Sequence, residues 1–217
     1  MFEKSKVLAV ILAPLEIKSL VRRNTRTLGE KSLFAWSLDC ASKSALVDTI
    51  AVNSDDPDVI DEARSLSIPV FEGLSPGDRE DQGWFARSAL RILTEMPDFD
   101  LVTVLDTGSP LRQPADIDGC IEICARNDGH PAVTVSESQS SPSDWHYLGS
   151  DRAMRPVFED ERKLYRINRA VMASATGRLS LNASFLTENT RAFIMPQDRS
   201  LYIRTKTDLS LARGLAP

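Results

Sequence analysis

Val7-Leu8-Ala9-Val10-Ile11-Leu12 is an unbroken apolar run of strand length. A strand with one wet face would alternate apolar and polar residues. An unbroken run suits a parallel strand covered by helices on both sides. The next 120 or so residues repeat that theme. A polar, basic loop at 13–26 leads to a helix at 32–44, whose apolar face carries Leu33, Trp36, Leu38, Cys40 and Ala41. A strand follows at 49–53. Asp56-Pro57 then starts a helix running to about residue 66, with an Asp to cap it and a Pro suited to its first turn. The pattern continues with a short strand at 68–71, a Gly- and Pro-bearing loop at 72–83 and a helix at 84–96. A strand at 101–105 ends on Asp106. A helix at 114–127 and a strand at 132–135 close this part. Strand, loop and helix in this order predict right-handed crossovers and a mainly parallel central sheet flanked by helices, an α/β fold.

The periodicity loosens after Ser136. Residues 137–144 are Ser-rich, and 147–169 alternate weakly with many charges. The span of about 137–170 is expected to be a hairpin or small sugar-binding or dimerisation arm that inserts into the sheet or reaches a partner subunit. Short strands are expected at 192–195 and 201–203, and a final helix at 208–213. With 217 residues, the chain is expected to be one domain that buries about 70% of its extended surface, so its core needs no staples.

Composition removes several function classes. The net charge is −5, with no basic stripe of the kind a general nucleic-acid scaffold carries. No apolar stretch approaches the roughly 20 residues that span a bilayer. The charged start and the apolar run at 7–14 lack a small-residue cleavage region, so they read as the first strand of a cytoplasmic protein. Cys40, Cys120 and Cys124 are too few for a disulfide framework and read as small buried fillers. His130 and His146 form no metal-ligand motif, and neither a Walker-type loop nor a dinucleotide Gly fingerprint is present.

Several short pieces carry a more specific signal. Ser109-Pro110-Leu111-Arg112 is followed by Asp116-Ile117-Asp118. Lys18, Arg22, Arg23 and Asn24 form a basic loop, and Leu28, Lys31 and Leu33 come soon after. Ser54-Asp55-Asp56 follows a strand. Pro142 and Trp145, then Tyr165, Arg166 and Asn168, lie in the looser part. In content and spacing these pieces resemble the acylneuraminate cytidylyltransferase family, which activates sialic, legionaminic, pseudaminic and related 2-keto-3-deoxy sugar acids. The resemblance covers nearly the whole chain. It implies a Rossmann-like nucleotide-diphospho-sugar transferase architecture with a late arm, which in this family commonly contributes to a homodimer.

The implied activity is transfer of CMP from CTP to a nonulosonic or related sugar acid, with Mg²⁺ as cofactor and pyrophosphate as the leaving group. CTP and an acidic sugar are the implied partners; no nucleic acid or membrane is among them. Lys18 and Arg22 are implied to contact the triphosphate, the competing reading being a solvated basic loop. Asp106 lies where a carboxylate would face the sheet opening. There it would act in catalysis and hold the metal, together with Asp208, unless the latter merely starts a helix. Asn24, Ser54, Asp55 and Arg112 are implied at the nucleotide end. Asn24 would bind ribose or hold the loop, and Arg112 would bind a phosphate or the sugar acid. Gln113, Trp145, Tyr165, Arg166 and Asn168 are implied on the acidic sugar, with packing the competing role for the two aromatics. Lys18, Arg22 and Arg112 are expected to converge on one positive groove.

Departures from the family pattern fall at the chemistry. Pro14, Leu15 and Glu16 stand where the family has Arg and paired Gly, Asp106-Thr107-Gly108 replaces Gln-Pro-Thr, and Arg169 replaces a Gly. Tyr202 and Arg204 stand in place of two late metal-holding aspartates. These changes support an alternative: a catalytically impaired homologue that binds nucleotide, sugar or a protein. A transferase using a different base or sugar is the third reading.

Overall fold

In a computed structural model of the chain, the structure describes residues 5–15, 20–73, 83–159 and 162–215. Among the described residues, eleven strands and six helices follow one another. They are β1 (Val7–Ala13), β2 (Thr27–Leu28), β3 (Lys31–Ser32), α1 (Leu33–Ser42), β4 (Thr49–Ser54), α2 (Pro57–Ser65), β5 (Val70–Phe71), α3 (Trp84–Glu95) and β6 (Leu101–Asp106). Then come α4 (Pro114–Arg126), β7 (Ala132–Glu137), β8 (His146–Leu148), β9 (Met154–Pro156), β10 (Tyr165–Ala175), α5 (Thr176–Asn182), β11 (Arg191–Ile194) and α6 (Lys206–Leu215).

A seven-stranded sheet has the order β11-β7-β10-β6-β1-β4-β5. β1 runs parallel to β4 and β6, β4 to β5, and β11 to β7. β10 alone runs against its neighbours β6 and β7. The sheet is therefore mixed and mostly parallel, as the strand–helix alternation predicts. Every residue of β1 is buried. Val7, Ala9 and Ile11 join a core cluster with α1 and α4, while Leu8, Val10 and Leu12 join the cluster under α3. Two apolar faces on one strand account for the unbroken run.

Local signals set the helix starts. Ser32 accepts a hydrogen bond from the Ala35 amide at 2.9 Å, capping α1. Asp56 caps α2, which begins with Pro57. The Gln113 amide donates to Asp116 Oδ2 at 2.8 Å at the start of α4. Such caps each contribute about 1 kcal/mol. Among the described residues, no helix is long and apolar enough to cross a membrane.

Three expectations change. The span 137–170 divides: β8 and β9 pair as a separate hairpin, whereas 165–170 is the first half of β10. β10 enters the sheet because Ala170-Val171-Met172-Ala173 is buried on both faces, a short apolar core hidden in sequence by the charges before it. Residues 201–203 form no strand. Ile203 instead makes a single backbone bond, donating to the Gly108 carbonyl at 2.7 Å. Helix α5, which follows β10 directly, was not expected.

Candidate functional site

The C-terminal ends of β1, β4 and β6 meet at one edge of the sheet, where an open α/β sheet presents its ligand crevice. Asn24 ties all three together. Its Nδ2 donates to the Pro14 carbonyl at 2.8 Å and to Asp56 Oδ2 at 3.0 Å, and its Oδ1 accepts from Thr107 Oγ1 at 2.7 Å. Ser54 Oγ donates to the Ala13 carbonyl at 2.6 Å and accepts from the Asp56 amide at 3.0 Å. Asp55 Oδ1 accepts from the Leu15 amide at 2.6 Å. The bonds of Asn24 and Ser54 are all with the protein, and both side chains are buried. Arg22 is exposed and pairs with Asp58 on α2. Lys18 and Glu16 lie outside the described residues.

Asp106, at the end of β6, is 2% exposed and fully engaged. Its Oδ1 accepts from Arg23 Nη2 at 2.8 Å and from the Gly108 amide at 2.7 Å, and its Oδ2 accepts from Tyr202 Oη at 2.8 Å. Arg23 is 0% exposed and reaches Thr107 Oγ1 at 3.2 Å as well. Burial alone would discourage the Arg23 charge. The Asp106 carboxylate and Tyr202 outweigh it and raise the guanidinium pKa above its ordinary value. Burial and the neighbouring Asp106 charge push the Tyr202 phenol up, so it stays a proton donor. The space is packed: a Cβ added at Gly108 would lie 2.5 Å from Arg23 Nη1 and 2.7 Å from Tyr202 Cε2.

Mg²⁺ needs near-octahedral oxygen ligands and keeps several waters. Asp106 offers it neither room nor a free face. Asp208 Oδ2 accepts from the Arg204 amide at 2.9 Å and the Thr205 amide at 2.8 Å, as an α6 cap. Partial burial opposes its ionisation, but these two bonds prevail and hold the carboxyl below the ordinary aspartate range. Among the described residues, no group of three or more His, Cys, Asp or Glu is placed to hold a metal. These residues do not fit the metal that the resemblance implies.

Arg112 is 4% exposed and points inward. Its Nη1 donates to the carbonyls of Asp106 at 2.8 Å and Ala170 at 3.0 Å, and its Nη2 to Ser37 Oγ at 2.6 Å. Burial lowers its pKa from the ordinary value. Arg22 and Arg112 therefore do not converge on one groove: the first faces solvent beside α2 and the second braces β6 against β10. Asn168 is buried too. Its Oδ1 accepts from Thr134 Oγ1 at 2.6 Å and the Ala170 amide at 3.1 Å, and its Nδ2 donates to Ser200 Oγ at 3.1 Å. Gln113 is exposed at the start of α4.

The open space lies along β10. Its register against β7 shifts between Ile167 and Met172, and Val171 pairs with Leu105. Residues 168 and 169 therefore sit just past the end of β6. A cavity of about 270 Å³ is lined by Arg166, Asn168, Arg169, Tyr202, Arg204 and Asp208, among others. A second, of about 340 Å³, shares Arg166 and Arg169 and adds Phe85 and Phe185. A third, of about 500 Å³, lies under the β8–β9 hairpin and brings together Trp145, Tyr165 and Arg166. Arg166 thus borders all three, while Tyr165 borders the second and third and Trp145 only the third, both side chains being exposed.

Three contributors were missed from sequence. Arg23 was read as one more member of a basic loop, yet it is the buried partner of Asp106. Tyr202 was read only as the loss of an aspartate. Arg169 stands out in sequence only as the replacement of a Gly, but it has a backbone φ of 61°, a left-handed conformation costing a non-Gly residue roughly 1–2 kcal/mol. The signal for the first two was the joint change of position 106 and position 202. The cysteines are free and buried, and burial raises the thiol pKa of Cys40 and Cys124 to about 11, so no thiolate is poised for chemistry.

The chain is homologous, at low identity, to CMP-sugar cytidylyltransferase-like proteins. It is 27% identical to CMP-N,N'-diacetyllegionaminic acid synthase of Legionella pneumophila, over 97% of this chain and 96% of that one. It is 23% identical to post-translational flagellin modification protein B of Campylobacter coli, covering 97% and 95%. With N-acylneuraminate cytidylyltransferase of Escherichia coli it shares 22% identity over 96% of this chain, spanning 52% of that protein. No protein-family model matches the chain. Among solved structures, CMP:2-keto-3-deoxy-manno-octonic acid synthetase complexed with CTP superposes with a TM-score of 0.71 at 14% identity, covering 97% and 98%. A 4-diphosphocytidyl-2C-methyl-D-erythritol synthase gives 0.73 at 15%, covering 99% of each chain. The mixed, mostly parallel sheet and these likenesses are consistent with a Rossmann-like nucleotidyltransferase fold.

Proposed function

We propose that this protein is a cytidylyltransferase of the CMP-sugar acid type in which arginines, rather than a carboxylate-held metal, supply the positive charge of the site. The observation that carries the reading is the arginine-lined cavity past the end of β6, formed by Arg166, Arg169 and Arg204. It sits in a chain matched end to end by a CMP-N,N'-diacetyllegionaminic acid synthase. In the reaction, the 2-hydroxyl oxygen of a 2-keto-3-deoxy sugar acid bonds to the α-phosphorus of CTP. The bond to the β-phosphate breaks, and pyrophosphate departs with that electron pair while the hydroxyl proton passes to solvent. Protein groups must hold the entering and leaving oxygens in line and offset developing phosphate charge. Fixed guanidinium groups suit the second task.

Incubation with CTP and a panel of nonulosonic and octulosonic acids, with Mg²⁺ and with excess EDTA, should yield a CMP-sugar detectable by anion-exchange chromatography. Folded protein that makes none across the panel in both conditions overturns the reading. The Asp106–Arg23–Tyr202 plug favours a second reading, a homologue that retains ligand binding without transfer. CTP or sugar-acid binding in calorimetry with no turnover would select it.

The same proposal includes a homodimer built through the hairpin. Trp145, Tyr147, Leu148, Met154, Val157 and Phe158 are all exposed there, Leu148 by 65% and Met154 by 67%. Contiguous exposed apolar residues mark interaction surfaces. Light scattering across a wide concentration range should give a dimer mass, and the double variant Leu148→Asp, Met154→Asp should give a monomer with an unchanged circular dichroism spectrum. A monomer mass for the unaltered chain throughout that range rules the dimer out.

A further inference from the structure

We infer that Arg169 anchors an oxyanion site that works without a divalent cation, taking a carboxylate or phosphate group of the ligand. Its backbone is held at φ 61° inside the β10 irregularity. Glycine would occupy that conformation without strain. Retention of a strained backbone beside a cavity points to a use for the side chain. The guanidinium carbon lies 5.8 Å from the Tyr202 ring centroid and 6.0 Å from that of Phe85. Two aromatic faces thus hold the cation in place at the wall shared by the 340 and 270 Å³ cavities.

The charges around it favour an anion. No carboxylate among the described residues pairs with Arg169 or with Arg166, which lines both cavities. Arg204 lies 5.9 Å from the other partner of Arg169, the Tyr202 ring. Among the described residues lining these two cavities the one acidic side chain is Asp208, which caps α6 through the Arg204 and Thr205 amides and sets its charge against Arg204 rather than Arg169. Behind Tyr202, the Arg23–Asp106 pair closes the floor. Arg166 and Arg169, side by side on the wall of so small a space, repel a divalent cation and attract an oxyanion, and the fork of each can bind two of its oxygens. Here the ring-flanked arginine takes the place of a metal clamp. This rests on the reading that the cleft accepts an acidic sugar or its nucleotide, but it concerns what holds the anion rather than whether transfer occurs.

The test is calorimetric binding of N-acetylneuraminate, CMP and inorganic pyrophosphate in excess EDTA, to the unaltered protein and to Arg169→Gly. Glycine at φ 61° leaves the backbone unstrained, and an unchanged urea midpoint confirms that the variant is folded. At least one probe should bind in EDTA, and Arg169→Gly should weaken it about 10- to 100-fold. A response confined to N-acetylneuraminate assigns the site to the sugar carboxylate. One confined to CMP and pyrophosphate assigns it to phosphate. Equal affinities for the two proteins overturn the inference, as does binding that vanishes in EDTA and returns with Mg²⁺, or no binding of any probe. CMP-sugar synthesis that proceeds equally in both proteins, with equal affinities, removes this inference and leaves the proposed activity standing. EDTA-resistant, Arg169-dependent binding without any product does the reverse.

Discussion

Asp106→Asn should destabilise the protein by about 3–5 kcal/mol, the cost of stranding one member of a buried ion pair. The amide keeps the shape of the carboxylate but leaves Arg23, which is 0% exposed, without a counter-charge. It also faces the Gly108 amide and the Tyr202 hydroxyl, each of which needs an acceptor. Tyr202→Phe removes two charge-assisted bonds, the one donated to Asp106 and the longer one accepted from Arg23, but leaves the buried charges paired and should cost less, about 1.5–3 kcal/mol. Urea denaturation monitored by tryptophan fluorescence measures both. The outcome matters for function as well as for folding. A catalytic or metal-binding carboxylate would lose activity with stability intact. A bracing carboxylate loses stability first. A drop below about 1 kcal/mol for Asp106→Asn would return Asp106 to the list of candidate ligands.

Arg112→Ala should be of similar size, about 3–5 kcal/mol, and in a domain of this kind that approaches the whole stability. The guanidinium joins three oxygens on three elements: the carbonyl at the end of β6, the Ala170 carbonyl in β10 and Ser37 on α1. Truncation strands those acceptors, at about 1–3 kcal/mol for each one left without a partner, and opens a cavity beside them. Arg112→Lys should recover only part of the loss, because one ammonium cannot span a forked set of acceptors. Soluble yield and the urea midpoint provide the readout. If Arg112→Ala folds as well as the unaltered protein and only ligand binding falls, Arg112 faces the ligand after all. The same motif that carries the family resemblance, Ser109 to Arg112, thus holds the sheet opening in shape. Ser109 Oγ reaches the Asn168 carbonyl at 3.5 Å, at the margin of a hydrogen bond.

Arg166 and Asn168 show how a motif divides between roles. Two residues apart on β10, both line the 270 Å³ cavity, but Arg166 also borders the other two, while the side chain of Asn168 is buried and locked among Thr134, Ala170 and Ser200. The irregularity in β10 between Ile167 and Met172, which takes in Asn168 but not Arg166, breaks the simple alternation that would have set them on one face. Spacing in the chain therefore could not say which of the two meets a ligand.

Local pattern alone settled the strands β1, β4, β6 and β7, the helices α1 to α4 and their order, because each depends on neighbours a few residues away. An unbroken apolar run calls for two covering layers, and Asp56-Pro57 starts a helix wherever it falls. Tertiary structure alone decided where the charges went. Arg23 meets Asp106 across 83 residues of chain and Tyr202 meets it across 96. Only the folded sheet brings those positions together, and only close packing at Gly108 turns the meeting into a plug. β10 belongs to the same class. Its short apolar core becomes a central strand because β6 and β7 leave a gap between them, and its charged half then lines the opening. Buried charge is stable only beside a partner, and the partner here is chosen by the sheet, at a distance no local reading spans.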